Sequence, residues 1–508
     1  MEQITWQSYK SGTDVRGIAV ETPKGAVTLT DPVVEAITAG FLLWLSNKQN
    51  KPVSQLTIAV GHDSRISANR IQSAVFRSAL RYGCKILNCG LASTPSMFMI
   101  TVDHPVDGTI QITASHHPYH LNGLKFFAVD GGLQGADISE ILSFCADNKT
   151  PPLCEGGEVI ICGYMTEYAA NLRKMIADGV GVDEKDQPLN GFHIVVDAGN
   201  GAGGFYATSV LAPLGADVSG SVFLEPDGMF PNHIPNPEDE VAMASIQSAV
   251  LANGADLGVI FDTDVDRAGC VDANGAEINR NRLVALASAL ALEGNEGGIV
   301  VTDSVTSDGL KQFIEQTLQG EHYRYKRGYR NVINQAMALC EQGRFAPLAI
   351  ETSGHAAFKD NYFLDDGAYL ITRIIVKMAQ LKEQGQTLSD LFARLPEPEE
   401  AEELRFTIMD KDFRNYGETV LKALEQFAIH TEGFSVAPDN REGIRICADS
   451  EHGDGWLLLR LSVHDPVMPL NVESNQIGGC KTIVGQVARI LQSFSLLDLT
   501  SLSDYLNQ

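Results

Sequence analysis

The chain is expected to fold as a multidomain α/β protein, and three observations carry that expectation. With 508 residues it exceeds what one core holds, and at ~150 residues per domain the length suggests roughly three or four domains. A strand, turn, helix pattern recurs at residues 56–60 before Gly61, 192–197 before Gly199 and 298–302 before Asp303, which predicts α/β units with substantially parallel sheets. Apolar residues at helical spacing mark 69–82, 282–292, 368–383 and 480–492. Hydrophobic residues at 44% against 20% charged leave material for several cores and argue against disorder.

The segment 395–403, LPEPEEAEE, joins two prolines to an acidic run and reads as a linker to a terminal domain. Beyond it, short strands at 443–447 and 456–462 precede a helix, a pattern of α+β type. Weaker boundaries fall near 151–157 and 277–281, so the expected domains are 1–155, 156–278, 279–394 and 395–508.

Composition excludes several functions. A formal charge of −26 opposes a broad nucleic-acid surface, because such binding neutralises phosphates with Lys and Arg. Any phosphate ligand must be a small molecule held by locally gathered cations. The most apolar stretch, around 41–45, is too short to span a membrane, and the first ten residues carry no secretory pattern, so a cytoplasmic protein is expected. Nine cysteines include no C-x-x-C pair, and Cys84 and Cys89 are the nearest neighbours, which suits reduced, mostly buried thiols.

Five constellations carry candidate chemistry. Thr113-Ala114-Ser115-His116-His117-Pro118 lies between apolar strands at 108–112 and 123–127, where a serine at a strand end can act as a nucleophile if Lys125 or His116 assists. The alternative is an ordinary turn. Asp262-Thr263-Asp264-Val265-Asp266-Arg267 follows the apolar strand 257–261; three carboxylates at alternate positions suit magnesium, and Arg267 suits a phosphate. An EF-hand is excluded, since its sixth position would be Arg267 and its twelfth Ala273. Gly199-Asn200-Gly201-Ala202-Gly203-Gly204, with Glu225 expected to end the next strand, matches a dinucleotide fingerprint or a packing turn. Glu351-Thr352-Ser353-Gly354-His355 could hold sugar hydroxyls, and Arg460, Ser462 and His464 a phosphate. His116, His117 and His120 are more simply neighbours of a phosphate site than zinc ligands.

Together these loops resemble the α-D-phosphohexomutase family, which includes phosphoglucomutases and phosphomannomutases. The opening G-T-x-x-x-R-G appears as Gly12-Thr13 through Arg16-Gly17, and G-x-D-x-R as Gly61-His62-Asp63-Ser64-Arg65. The T-A-S-H-N-P phosphoserine loop is similar to residues 113–118, with the catalytic lysine at Lys125, the D-G-D-x-D-R loop to 262–267, and G-E-x-S-G-H to 350–355. The resemblance implies a four-domain architecture around a central cleft, three mixed α/β domains and a smaller α+β C-terminal one. It implies an isomerase with catalytic Ser115, Arg16, Lys125, His116, His355 and Arg267, and Mg2+ held by Ser115, Asp262, Asp264 and Asp266. It further implies substrate contacts from Glu351, Ser353, Gly328, Arg330, Arg460, Ser462 and His464, and a hexose 1,6-bisphosphate as activator. The partner would be a small phosphosugar, and the chain a monomer or homodimer.

The chain departs from that pattern most in the closing loop, R-P-S-G-T-E-P, where Val463, His464 and Asp465 replace Gly, Thr and Glu. His117 also replaces Asn, and Thr263 and Ile350 replace glycines. A β-branched valine resists the positive φ open to glycine, so the grip on the distal phosphate is expected to differ. The competing readings are a hexose 1,6-bisphosphate synthase of the same fold, an NAD-dependent dehydrogenase and an inactive sugar-phosphate sensor.

Overall fold

Residues 5–23, 25–462 and 465–507 are described by a computed structural model of the chain. They form two compact units. One gathers the residues up to Asn279 with Ser353–Ala356 and Leu364–Ser389; the other gathers Arg280–Thr352, Ala357–Phe363 and the residues from Asp390 on.

The first unit holds two sheets. In the larger, the strand order is Lys10–Ser11, Asp14–Ile18, Leu121–Ala128, Gly108–Ile112, Thr57–His62, Lys85–Leu91, Glu158–Ile161. Its last four strands run parallel, whereas Leu121–Ala128 runs antiparallel to both its neighbours, so the sheet is mixed. Helices Asp31–Gln49, Ala68–Arg81 and Gly135–Ala146 share one apolar core against it, with Val34, Ile37, Phe41, Ile110 and Phe126 among the fully or almost fully buried side chains. The first of these helices opens with Pro32 in its first turn and closes at Asn50 with φ +49°, as the asymmetry of helix ends favours. Because Gly108–Ile112 and Leu121–Ala128 are paired antiparallel neighbours, residues 113–120 form the loop between them at one sheet end.

The smaller sheet pairs Ile194–Asp197 in parallel with Leu257–Phe261, which then turns back antiparallel into Ala268–Asp272. Phe261 faces Ala268 across that hairpin, so the acidic residues 262–267 are its tip.

The second unit holds a parallel arrangement of Glu321–Arg324, Ile299–Thr302 and Leu348–Ile350. It also holds an antiparallel six-stranded sheet in the order Phe434–Val436, Ile444–Ala448, Gly455–Leu459, Val467–Ser474, Glu400–Ile408, Leu497–Asp498. Helices Phe413–His430 and Gly479–Leu491 close the core of that sheet, the α+β arrangement expected of the terminal region.

Three expectations change. The strand at 57–62 runs through Gly61 rather than ending before it, and the turn comes at Asp63, whose Oδ1 accepts from Arg65 N at 2.9 Å. The linker shortens: Glu400–Ile408 is a strand, because from Leu404 onward its residues alternate between core and solvent and residues 400–407 pair with Val467–Ser474. No described strand ends at Glu225; Val222 makes only a single bridge to Asp197, so a dinucleotide-binding βαβ unit does not form. The glycine-rich turn instead packs on the acidic hairpin tip. A Cβ at Gly201 would sit 2.6 Å from Thr263 O, and Ala202 N donates to the same oxygen at 2.8 Å. Among the described residues no helix is long and apolar enough to cross a membrane, and all nine cysteines are free.

Candidate active site

In the first unit, the loop 113–120 and the hairpin tip 262–267 meet. Ser115 is buried, and its backbone holds φ +51°, a left-handed conformation rare for a residue with a Cβ. Its N–H donates to Thr113 Oγ1 at 2.9 Å, a local turn that presents the side chain. Ser115 Oγ lies 3.3 Å from Asp262 Oδ2, receives Arg267 Nη2 at 3.2 Å, and stands 3.2 Å from His116 Nδ1. The strand crossing is close because position 123 is glycine: a Cβ there would approach Val15 O to 2.2 Å and Thr113 O to 2.8 Å.

Asp262, Asp264 and Asp266 are fully or almost fully buried, and one oxygen from each lies within 4.8 Å of the others. Asp264 Oδ1 accepts no hydrogen bond. Three convergent hard oxygens with an unfilled acceptor suit a small divalent cation such as magnesium, and Ser115 Oγ is near enough to Asp262 to join them. Asp264 is also gripped by Thr94, whose N–H donates to Asp264 O at 2.8 Å and whose hydroxyl donates to the carboxylate.

The cations around this triad come from several elements, and only Arg267 belongs to its hairpin. Lys125, projecting from strand Leu121–Ala128, sits 2.7 Å from Asp266 and 3.7 Å from Asp264. His355 Nε2 lies 3.5 Å from Asp266, and His355 Nδ1 is 3.0 Å from Ser353 Oγ. Arg267 folds back onto Asp262 through Nε at 3.1 Å and reaches Asn236 Oδ1 at 3.1 Å. Arg16 touches His117 and pairs with Asp14 at 3.2 Å.

Electrostatics divide the carboxylates. Burial, then the charge of Asp266, pushes Asp262 well above the usual carboxylate range. Burial acts on Asp266 too, but Lys125 and His355 outweigh it and hold that carboxyl well below the range. His116 is pushed down to about 2 by burial and by Arg267, and His117 to about 4 by burial and by Arg16. Both are neutral imidazoles at physiological pH.

The second unit brings together another set. Glu351 Oε1 accepts Gly328 N at 2.6 Å, and Asp303 Oδ2 accepts Thr352 Oγ1 at 3.0 Å. Arg327 approaches Asp303 at 4.0 Å. Burial and then Glu351 raise Asp303 to about 7. Arg460, at the end of Gly455–Leu459, is pushed down by burial and by Arg327, and its Nε has no hydrogen-bond partner. Ser462 Oγ accepts Asp465 N at 3.3 Å. Arg330 stacks on its neighbour Tyr329 at 5.3 Å, and its Nε also lacks a hydrogen-bond partner. His464, with Val463, lies outside the described residues.

Sequence reasoning missed Thr94, Asn236, Asp303 and Arg327. Asp303 stands only at a strand end in the sequence, and Arg327 directly precedes Gly328, which the resemblance already names and whose φ of +113° only the structure shows. Thr94 and Asn236 carried no local signal, since their partners are more than thirty residues away in the chain.

The phosphoglucomutase/phosphomannomutase α/β/α domains I, II and III match residues 8–150, 167–275 and 279–398. A phosphoglucomutase of Neisseria gonorrhoeae is 27% identical over 97% of this chain and 98% of its own length. A phosphoglucomutase/phosphomannomutase of Thermococcus kodakarensis is 30% identical over 91% and 93%. A crystal structure of a phosphoglucomutase/phosphomannomutase family protein from Burkholderia thailandensis superposes with a TM-score of 0.77 at 25% identity, covering 97% of this chain and 98% of that one. These matches and the α/β domains define an isomerase of the phosphohexomutase class. The chain belongs to the α-D-phosphohexomutase family of phosphoglucomutases and phosphomannomutases.

Proposed function

We propose that the enzyme interconverts hexose 1-phosphate and hexose 6-phosphate, with glucose or mannose as the sugar, through a phosphoserine at Ser115 and a hexose 1,6-bisphosphate. One observation carries the reading: a buried, left-handed Ser115 whose Oγ stands 3.3 Å from Asp262 and 3.2 Å from Arg267. In the forward half, the Oγ–P bond of phosphoserine breaks, the free hydroxyl of the sugar phosphate bonds to phosphorus and gives its proton to the protein, and the protein returns a proton to the freed Ser115 Oγ. Reversal at the other end of the reoriented bisphosphate restores phosphoserine and leaves the isomer. A free bisphosphate serves as activator by phosphorylating Ser115.

Asp262, Asp264, Asp266 and the Ser115 oxygen would hold Mg2+, which supplies charge stabilisation to the phosphoryl oxygens. Arg267 neutralises the same oxygens, a role that its bond to Ser115 Oγ supports. Lys125 and His355, both set against Asp266, and Arg16 take part in proton transfer and charge balance. His116, neutral at working pH, serves as a hydrogen-bonding group beside the nucleophile. Glu351, Ser353, Gly328 and Arg330 hold the sugar, and Arg460, Ser462 and His464 the distal phosphate. The domains behind these roles divide at 1–155, 156–278, 279–394 and 395–508, and the protein works in the cytoplasm as a monomer or homodimer.

A second reading has its own observation. Val463, His464 and Asp465 replace the Gly, Thr and Glu of the common closing loop. A weaker hold on the distal phosphate would release the bisphosphate, making the enzyme a hexose 1,6-bisphosphate synthase. Phosphorus NMR of products from glucose 1-phosphate and mannose 1-phosphate, with and without added 1,6-bisphosphate, separates the two. Peptide mapping should find phosphate on Ser115, and Ser115→Ala should abolish turnover; a fully active Ser115→Ala enzyme refutes both.

A further inference from the structure

The loop that carries Ser115 is tied down by a side chain that has no role in the account above. Arg65 lies just beyond strand Thr57–His62, and its side chain is wholly out of solvent. Its Nη1 donates to Pro118 O at 2.9 Å and Leu121 O at 3.0 Å, and its Nη2 donates to His117 O at 2.6 Å and to Ser115 O. Its Nε pairs with the equally buried Asp63 at 3.2 Å, and Asp63 accepts the Arg65 backbone N–H as well. Phe230 covers the guanidinium with its ring centre 5.3 Å away. That cover is brought in by Gly228, which pairs with the Arg65 backbone so closely that a Cβ would stand 2.3 Å from Ile66 N.

A guanidinium is a rigid plane of five donors, and here it is spread over three carbonyls of the loop, that of Leu121 where the next strand begins, and a carboxylate. The carbonyl of Ser115 itself is among the four. A left-handed backbone at a residue with a Cβ persists only where its surroundings impose it, and this constraint acts on the peptide group next to that dihedral.

We propose that Arg65 is a positioning residue that holds Ser115 in the left-handed conformation and thereby aims Oγ at Asp262 and Arg267. The proposal rests on the reading of Ser115 as the phosphoryl carrier. Arg65 is sealed from solvent and touches no substrate, so it acts on turnover and not on substrate affinity. Lysine cannot replace it, because a single ammonium with three donors does not reach four carbonyls fixed around a plane.

The test compares Arg65→Lys and Phe230→Leu with wild type and Ser115→Ala. It measures kcat and KM with glucose 1-phosphate and glucose 1,6-bisphosphate, phosphate occupancy of the Ser115 peptide by mass spectrometry, and fold by circular dichroism. Arg65→Lys is expected to lower kcat by roughly 100-fold, the scale of a 1 Å misplacement, with KM unchanged and Ser115 occupancy reduced. Phe230→Leu is expected to move the same quantities in the same direction by less. A folded Arg65→Lys enzyme with wild-type kcat, or with KM raised instead, overturns the proposal. Should Arg65→Lys not fold, an unaltered kcat in Phe230→Leu overturns it alone. A fully active Ser115→Ala enzyme brings down the underlying reading, whereas an inactive Ser115→Ala beside an unimpaired Arg65→Lys brings down only the clamp.

Discussion

The two clusters differ in how their cations are held, while each keeps open polar atoms: Asp264 Oδ1 and Arg16 Nε in the first, Arg460 Nε and Arg330 Nε in the second. Around Ser115, Arg267 is closed onto Asp262, Lys125 onto Asp266, and Thr94 onto Asp264, all within buried surroundings. Around Glu351, Arg460 and Arg330 each retain an Nε without a hydrogen-bond partner, and Asp303 is raised to about 7 by burial and by Glu351. On the proposed function, the first cluster does the chemistry, and its fixed charges need no rearrangement as a phosphoryl group moves; the second binds, since a half-buried cation with an open donor gains most from an arriving anion. Substitutions should therefore affect turnover in the first and affinity in the second.

The largest effect should come from Asp264→Asn. Removing one of three hard anionic oxygens should lower turnover at least about 100-fold, the upper scale for weakening a metal site from outside its ligands. It should also shrink the thermal stabilisation that Mg2+ gives to wild type, about 2.7 kcal/mol at a hundredfold excess over Kd. Without metal the variant should be no less stable, because one member of a mutually repelling buried triad has become neutral. Unaltered turnover with an undiminished magnesium shift in melting temperature would break the comparison at its chemical end.

Arg460→Ala should raise KM for hexose 1-phosphate while leaving kcat nearly untouched. A charge-assisted contact is worth about 1.5–3 kcal/mol, or roughly 10- to 100-fold in KM. Steady-state kinetics decide, and a fall in kcat with constant KM would place Arg460 with the chemical cluster instead.

The smallest effect concerns the pH dependence of stability. Asp303 has a folded pKa of about 7 against an ordinary 3.8, so between those values the folded chain binds a proton that the unfolded chain has released. Its contribution to stability is fully present below the unfolded value and is lost as pH rises through about 7. Denaturant midpoints measured from pH 4 to 8 should fall across that window, and Asp303→Asn should flatten the slope. An equal slope in the variant would mean that burial at this cluster is not what sets its charge.

Much of this site was legible in the chain itself, and the reason is local. Residues 262–267 follow an apolar strand directly and Ser115 lies three residues past the end of another, so a strand end and its loop are read together from one stretch of residues. The same locality left Gly199–Gly204 open between a dinucleotide fingerprint and a packing turn, and the choice is made only when Thr263 is found against Gly201, far along the chain. The acidic run at 400–403 misled, because pairing with Val467–Ser474 outweighed its charge. The amino-acid order by itself determined the α/β class, the terminal α+β region and the loops bearing serine, aspartates and glutamate, all carried by short-range spacing. Only the tertiary structure decided the left-handed set of Ser115, the division of charge between Asp262 and Asp266, and the hold of Thr94 on Asp264, because hydrogen bonds and Coulomb forces depend on distance in space rather than along the chain.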